Sequence, residues 1–300
     1  MAREREWKGR TGGSLTGQMA LIVFFRCLDV RLGYAVMACV VPFYMLFSRR
    51  ACNAIYRFFR HRLGRTRCQA LAGTYRNHYA FGQVILDRFA VFAGRRSFFE
   101  VETVGDAHFR RLVAGEKGFV VAGAHVGNFE ICGYLLDSGP KRINALVYAG
   151  ETRTVQENRA RALERRNVGL IPVADDMSHL FAVHAALQRG EIVSMTCDRA
   201  QGQTRTVECD FLGGRAAFPV GAFALAAGLD VEVIAIFVIK RTARRYTVYV
   251  RPLAPAPPAG EARGNRERAA QYARAYAREL EDVARRHPEQ WFNYYEFWNK

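Results

Sequence analysis

The apolar positions of this chain follow two different patterns, and the change falls near residue 93. Up to that point they come as long runs or at helical spacing. Residues 19–25 (MALIVFF) and 32–47 (LGYAVMACVVPFYMLF) are nearly uncharged, separated by Arg26, Asp29 and Arg31 and closed by Arg49 and Arg50. From Arg50 to Ala93, apolar and aromatic residues recur at threes and fours (Tyr56, Phe58, Phe59, then Leu71, Tyr75, Tyr79, Val84, Ile85, Phe89), which predicts a pair of helices. Beyond residue 93, short β-rich runs take over: Phe98–Val104, Gly118–Ala124, Ile143–Ala149, Val168–Val173, Ile192–Cys197, Thr204–Phe211, Val231–Ile239 and Tyr246–Val250. Helical stretches alternate with them near 105–115, 128–138, 151–166, 177–189 and 219–228, and a last helix, 263–286, follows the proline-rich run Leu253–Gly260. Such alternation predicts an α/β fold, a mixed and mostly parallel sheet flanked by helices.

Charge sharpens the reading of the N-terminal part. The 300 residues hold 44 Lys and Arg against 28 Asp and Glu, a formal net charge of +16. Residues 1–67 alone carry 13 Lys or Arg and 3 Asp or Glu. An apolar and basic segment of this kind fits an anionic membrane surface. The 16-residue run containing Pro42 is shorter than the roughly 20 residues of a comfortable span, so a monotopic or re-entrant helical hairpin is expected, with a buried core hairpin as the alternative. The chain thus divides into a membrane-associating helical segment, 1–67, and an α/β domain, 68–300. Glu4, Glu6 and the short first apolar run argue against a secretory signal. The rival partner for so much positive charge is nucleic acid, which would call for stacking aromatics interleaved with Lys and Arg on one sheet or groove.

Other features exclude rather than suggest. The seven cysteines contain no CxxC pair and read as reduced thiols in a cytosolic setting. His179 and His184 lack ligand-spaced partners, so no metal site is expected. Arg153, Arg159, Arg161, Arg165 and Arg166 read as a solvated helix face, and the aromatics between Trp291 and Trp298 as packing or interface anchors. The absence of GxSxG, GxxxxGK[ST] and GxGxxG lowers the case for a serine lipase, an NTPase or a dinucleotide enzyme.

Candidate chemistry concentrates in Gly118–Leu136 (GFVVAGAHVGNFEICGYLL). An apolar strand runs into small residues, then His125, then Gly127-Asn128 and a helix for which Asn128 is a natural N-cap. His125 is therefore expected at the carboxyl end of a strand, where open α/β sheets bind ligands, with Glu130 in the first turn facing back toward it. A histidine and a carboxylate so placed suit general base catalysis: the imidazole accepts a proton near neutral pH and the carboxylate orients it.

The same residues carry a resemblance. AHVGNFE resembles the HxxxxE/D motif of the lysophospholipid acyltransferase superfamily, in the form found in its lipid A biosynthesis (late) acyltransferases. Three more segments are similar to that branch: ALQRGEIVSMTCDRAQG (Ala186–Gly202), ECDFLGGRAAFPVGAFALAAG (Glu208–Gly228) and PEQWFNYYEFW (Pro288–Trp298). The Phe218-Pro219-Val220-Gly221 stretch lacks the acid of the Pro-Glu-Gly block in glycerolipid members, which favours the lipid A-like branch over a glycerol-phosphate acceptor. The resemblance implies a membrane-associated acyltransferase with His125 as base and Glu130 as its charge partner. Asn128, Arg159, Asp198, Arg199, Phe211, Gly213, Pro219 and Gly221 would then shape the substrate site. It further implies no cofactor beyond an acyl carrier protein or coenzyme A thioester as co-substrate. The acceptor would be a lipid hydroxyl or amine (a lipid A precursor, an aminolipid or a lysophospholipid), met at the cytoplasmic face of a bacterial inner membrane, with no nucleic acid partner.

Overall fold

The structure is a computed structural model that describes residues 15–131, 139–148, 163, 167–173, 178–200, 205–253 and 264–298. The N-terminal part is helical: α1 (Leu15–Cys27), α2 (Val30–Phe47), α3 (Arg49–Arg57), a π-helical turn (Phe58–Arg62) and α4 (Arg67–Phe92). Asp29 starts α2 by accepting a hydrogen bond from the Arg31 N–H, and α2 continues through Pro42 to Phe47. The two apolar runs thus form two helices joined by a tight turn. By length and composition α2 suffices to cross a membrane, and little of it is buried. Helix α4 opens on a capping box between Thr66 and Gln69, and its 26 residues extend about 39 Å.

Where it is described, the rest alternates as the pattern predicts: β1 (Glu100–Val104), α5 (Asp106–Ala114), β2 (Phe119–Gly123), β3 (Ile143–Tyr148), β4 (Val168–Val173), α6 (Ser178–Gln188), β5 (Ile192–Thr196), β6 (Thr206–Phe211), β7 (Gly214–Pro219), α7 (Gly221–Leu229), β8 (Val233–Lys240), β9 (Arg245–Pro252) and α8 (Asn265–Arg286). The helices expected near 128–138 and 151–166 lie almost wholly outside the described residues. Seven strands form one sheet in the order β1-β9-β8-β2-β5-β3-β4. Among the described residues its one antiparallel pair is β8 with β9, so β9 and β1 run against the other five. Strands β6 and β7 form a separate antiparallel hairpin. The chain is an α/β protein with a mostly parallel mixed sheet.

Alternate side chains of the central strands feed two cores. Val120 and Ala122 of β2, with Val233, Ala235, Phe237 and Ile239 of β8, join α6, α7, α8, the hairpin and the π-helical turn. Phe119 and Val121, with Ile234, Ile236 and Val238, join α1, the first turns of α2, the end of α4 and α5. Helix α4 belongs to both, through Ala70 in the first and Leu86 to Val91 in the second. Its small residues admit neighbours closely: a Cβ on Gly82 would lie 2.7 Å from Met37 of α2, and one on Gly73 2.7 Å from Phe59.

Candidate active site

Strand β2 ends at Gly123, and two residues later the chain turns. Gly127 takes a left-handed conformation (φ 53°), and a Cβ there would lie 1.8 Å from the Val238 carbonyl oxygen, so the turn needs glycine. Three backbone bonds fasten it: Gly127 N–H to Gln290 O (2.7 Å), Asn128 N–H to Val238 O (3.0 Å) and Phe292 N–H to His125 O (2.8 Å). Gln290 completes the clamp by accepting from the Lys240 N–H (2.8 Å) and donating to the Lys240 carbonyl (2.9 Å). The C-terminal segment therefore holds the His125 turn in place. Behind it, Trp291 packs edge-on against Phe58, Phe211 and Phe297, which makes these aromatics core members.

His125 projects from this turn with its side chain about a quarter exposed (26%), beside Asp198, which is nearly sealed (2%). The ring Nδ1 lies 2.8 Å from Asp198 Oδ1, and the His125 backbone N–H donates to Asp198 Oδ2 at 3.0 Å. Burial by itself would raise the Asp198 carboxyl. The charge and hydrogen bonds of His125 and the charge of Arg199 outweigh it and bring it down to about 2. An ionised carboxylate at Nδ1 requires the proton on that nitrogen, which leaves the Nε2 lone pair able to accept one.

The carboxylate hydrogen-bonded to the imidazole is thus Asp198, where the sequence reading set Glu130. Glu130 lies in the first turn of the helix that begins at Phe129 and pairs with Arg88 of α4 at 3.2 Å, both largely buried. Strand pairing explains the arrangement. Strands β2 and β5 are parallel neighbours, with Gly123 opposite Thr196, so the residues just beyond each strand meet although 73 positions separate them.

Asn128, expected among the substrate contacts, turns its side chain inward: Oδ1 accepts from the Ile131 N–H (3.2 Å) as the helix cap, and Nδ2 donates to the Tyr246 hydroxyl (3.2 Å). Tyr246 in turn donates to Asp87, a fully buried carboxylate that also receives Tyr34 of α2 and the Lys240 ammonium. The sequence reading missed this cluster and Arg88; its only trace was the Asp87-Arg88 pair of charges in an apolar helical stretch. Arg199 donates to the Phe292 carbonyl (2.6 Å) and lies over the Tyr295 ring (5.6 Å), beside the site. Phe211, Gly213, Pro219 and Gly221 lie elsewhere, on the hairpin and the start of α7. Phe211 is wholly buried, Gly213 occupies the hairpin turn and accepts from Arg62 (3.3 Å), and Pro219 pairs with Thr206. Arg159 falls outside the described residues.

The sequence signature of the family described as bacterial lipid A biosynthesis acyltransferase matches residues 75–300. The chain belongs to this family. The match takes in α4 from Tyr75 onward, the whole sheet and the C-terminal clamp, and with them His125, Asp198, Glu130 and Arg88. No curated protein matches the chain. This acyltransferase thus carries out acyl transfer in membrane lipid biosynthesis, and among the described residues α2 is apolar and long enough to cross a membrane.

Proposed function

We propose that this acyltransferase moves a fatty acyl chain from the thioester of acyl carrier protein or coenzyme A to a hydroxyl or amine of a lipid acceptor, with His125 as general base. The observation that carries the reading is the His125–Asp198 pair at the end of β2, with Nδ1 engaged and the ring partly open to solvent. His125 Nε2 takes the proton of the acceptor as its oxygen or nitrogen attacks the thioester carbonyl. The tetrahedral intermediate then collapses, the carbon–sulfur bond breaks, and the leaving thiolate takes the proton back from the imidazolium. No acyl-enzyme forms. Asp198 holds the ring and stabilises its charged form. Glu130, fixed by Arg88, adds a second negative charge at the start of the following helix, and Arg199 shapes the wall on the Phe292 side.

The branch resemblance favours a lipid A precursor-like acceptor. The apolar N-terminal helices and the basic surface support work at the cytoplasmic face of a bacterial inner membrane, where an acidic carrier and an anionic lipid would both be attracted. The test is transfer of a radiolabelled acyl group into a lipid extract. His125→Ala should abolish product, with the thermal transition and vesicle binding unchanged; retained transfer overturns the assignment. Lipidomics of a deletion strain complemented with either form then names the acceptor by the acylated species that is missing.

A further inference from the structure

Beyond the catalytic turn, the same edge of the sheet carries a second feature. An open groove of about 310 Å³ is lined by Arg31 of α2, Glu100 at the start of β1, and Thr242, Ala243, Arg244 and Arg245 of the β8–β9 turn. Three guanidinium groups meet one carboxylate there. Both Glu100 oxygens are engaged, with Arg244 at 3.4 Å and Arg245 at 3.1 Å, so the lining keeps a net charge of +2. Thr242 shapes the floor by accepting the Arg244 and Arg245 N–H groups. Asp29, two residues before Arg31, caps α2 through the Arg31 N–H and does not line the groove.

The groove is continuous with an apolar surface. The outward face of α2 begins at Arg31 and Leu32 and proceeds through Val36 and Val40 to Phe43 and Phe47, all exposed. A cationic cleft at the head of an apolar stripe matches a molecule with an anionic head and a hydrocarbon chain. Strand register places this cleft level with the active site. Gly127 bridges to Val238, Lys240 pairs with Tyr246, and Arg245 with Glu100, so the groove lies three strand spacings, about 14 Å, along the sheet edge from the turn of His125.

We propose that this groove binds the phosphate of an anionic phospholipid of the bilayer, with its acyl chains against Leu32, Val36 and Val40. The bound lipid sets the angle at which the catalytic edge meets the membrane. This inference rests on the reading of the protein as membrane-associated and adds a headgroup site to it.

The test is cosedimentation of the full chain with phosphatidylcholine vesicles, with and without a minor fraction of phosphatidylglycerol. The wild type should prefer the anionic vesicles. Replacing Arg31, Arg244 and Arg245 together by Gln should cut that preference about 100-fold, at about 1 kcal/mol per arginine near an anionic surface. Removing the same charge from α8 on the other side of the sheet (Arg266, Arg274 and Arg278→Gln) should change it less than threefold. Equal loss in the two triple variants would mean a diffuse charge effect and overturn the site. So would an unchanged preference in the groove variant. A solution arm separates the phosphate sources: millimolar inorganic phosphate should not displace the protein from anionic vesicles, and displacement would show a site for free phosphate. His125→Ala should keep the full preference, so a failed transfer assay and a failed groove test remain distinguishable. A wild type that binds neither vesicle overturns both the groove and the membrane reading.

Discussion

Asp198 decides which imidazole nitrogen is left to act, and it does so through two bonds to one residue, ring and backbone. Asn in its place keeps the shape but offers an amide that can donate as well as accept, so the ring loses its fixed tautomer. Asp198→Asn should lower kcat by about 10²–10⁴-fold with little change in donor KM, as expected when an orienting carboxylate is lost. A kcat within threefold of wild type would show that the ring is positioned without it. The sign of the pH dependence follows from a carboxyl held at about 2, below its usual 3.8. Its stabilising effect is complete above the unfolded value and is lost as pH falls toward 2. The stability gap between wild type and Asp198→Asn in urea should therefore be flat above about pH 5 and shrink below it. In that flat range Asp198 stays ionised. At this scale the sequence was half legible. His125, Asn128 and Glu130 sit in one contiguous block whose strand, cap and helix can be read directly. The role of Asp198 depends on β5 lying beside β2, which local spacing does not encode.

At the scale of elements, alternation predicted the sheet and the helices described beside it, and β7 was the described strand it missed. Arg215-Ala216-Ala217-Phe218 has no β-branched residue and lies between a Gly-Gly turn and Pro219, so propensity alone does not mark it. Its partner β6 and the aromatic cluster beneath supply the reason for it to be a strand. The join between elements is equally hidden, because Asp87 on α4, Lys240 on β8, Tyr246 on β9 and Tyr34 on α2 come from four separate segments whose local patterns do not show that they meet. Burial pushes the Asp87 carboxyl up and the Lys240 ammonium down, while their mutual charge pulls each back. Breaking such a pair leaves a buried charge alone. Asp87→Asn should cost about 3–5 kcal/mol in urea unfolding, and adding Lys240→Met should recover part of it. A double variant no more stable than the single would show that Lys240 finds another partner. Gly127→Ala tests the turn itself. A methyl at a positive φ and against Val238 O must displace the backbone, so transfer should fall by more than tenfold even where the protein remains folded by circular dichroism.

For the whole molecule, charge and apolar surface make separable contributions to membrane attachment. The net charge of +16 acts over a distance that salt shortens, from about 8 Å at physiological ionic strength to about 3 Å at 1 M. The apolar face of α2 does not depend on salt, and its far end is the most open part: Phe43 is 65% exposed and Phe47 86%. Neither ring has a packing role in either core, so replacing both by Ser leaves the fold in place. Each ring contributes about 1.5–3 kcal/mol when fully withdrawn from water. In 1 M salt, where the charge term is nearly screened, Phe43→Ser with Phe47→Ser should weaken partition into phosphatidylcholine vesicles by about 100-fold or more. At low salt with anionic vesicles the same variant should lose much less, because the arginines still hold it. The reverse outcome, high-salt binding intact without the two rings, would mean that α2 stays out of the bilayer. The head of α2 is also tied to the chemistry: Tyr34 reaches Asp87, Asp87 receives Tyr246, and Tyr246 receives the Asn128 amide that caps the helix after His125. If membrane entry of α2 helps seat that chain, the Phe43 and Phe47 variant should regain wild-type transfer rates on short-chain soluble acceptors in detergent, since its catalytic turn is untouched. A rate that stays low in detergent would place the two rings in folding rather than in attachment.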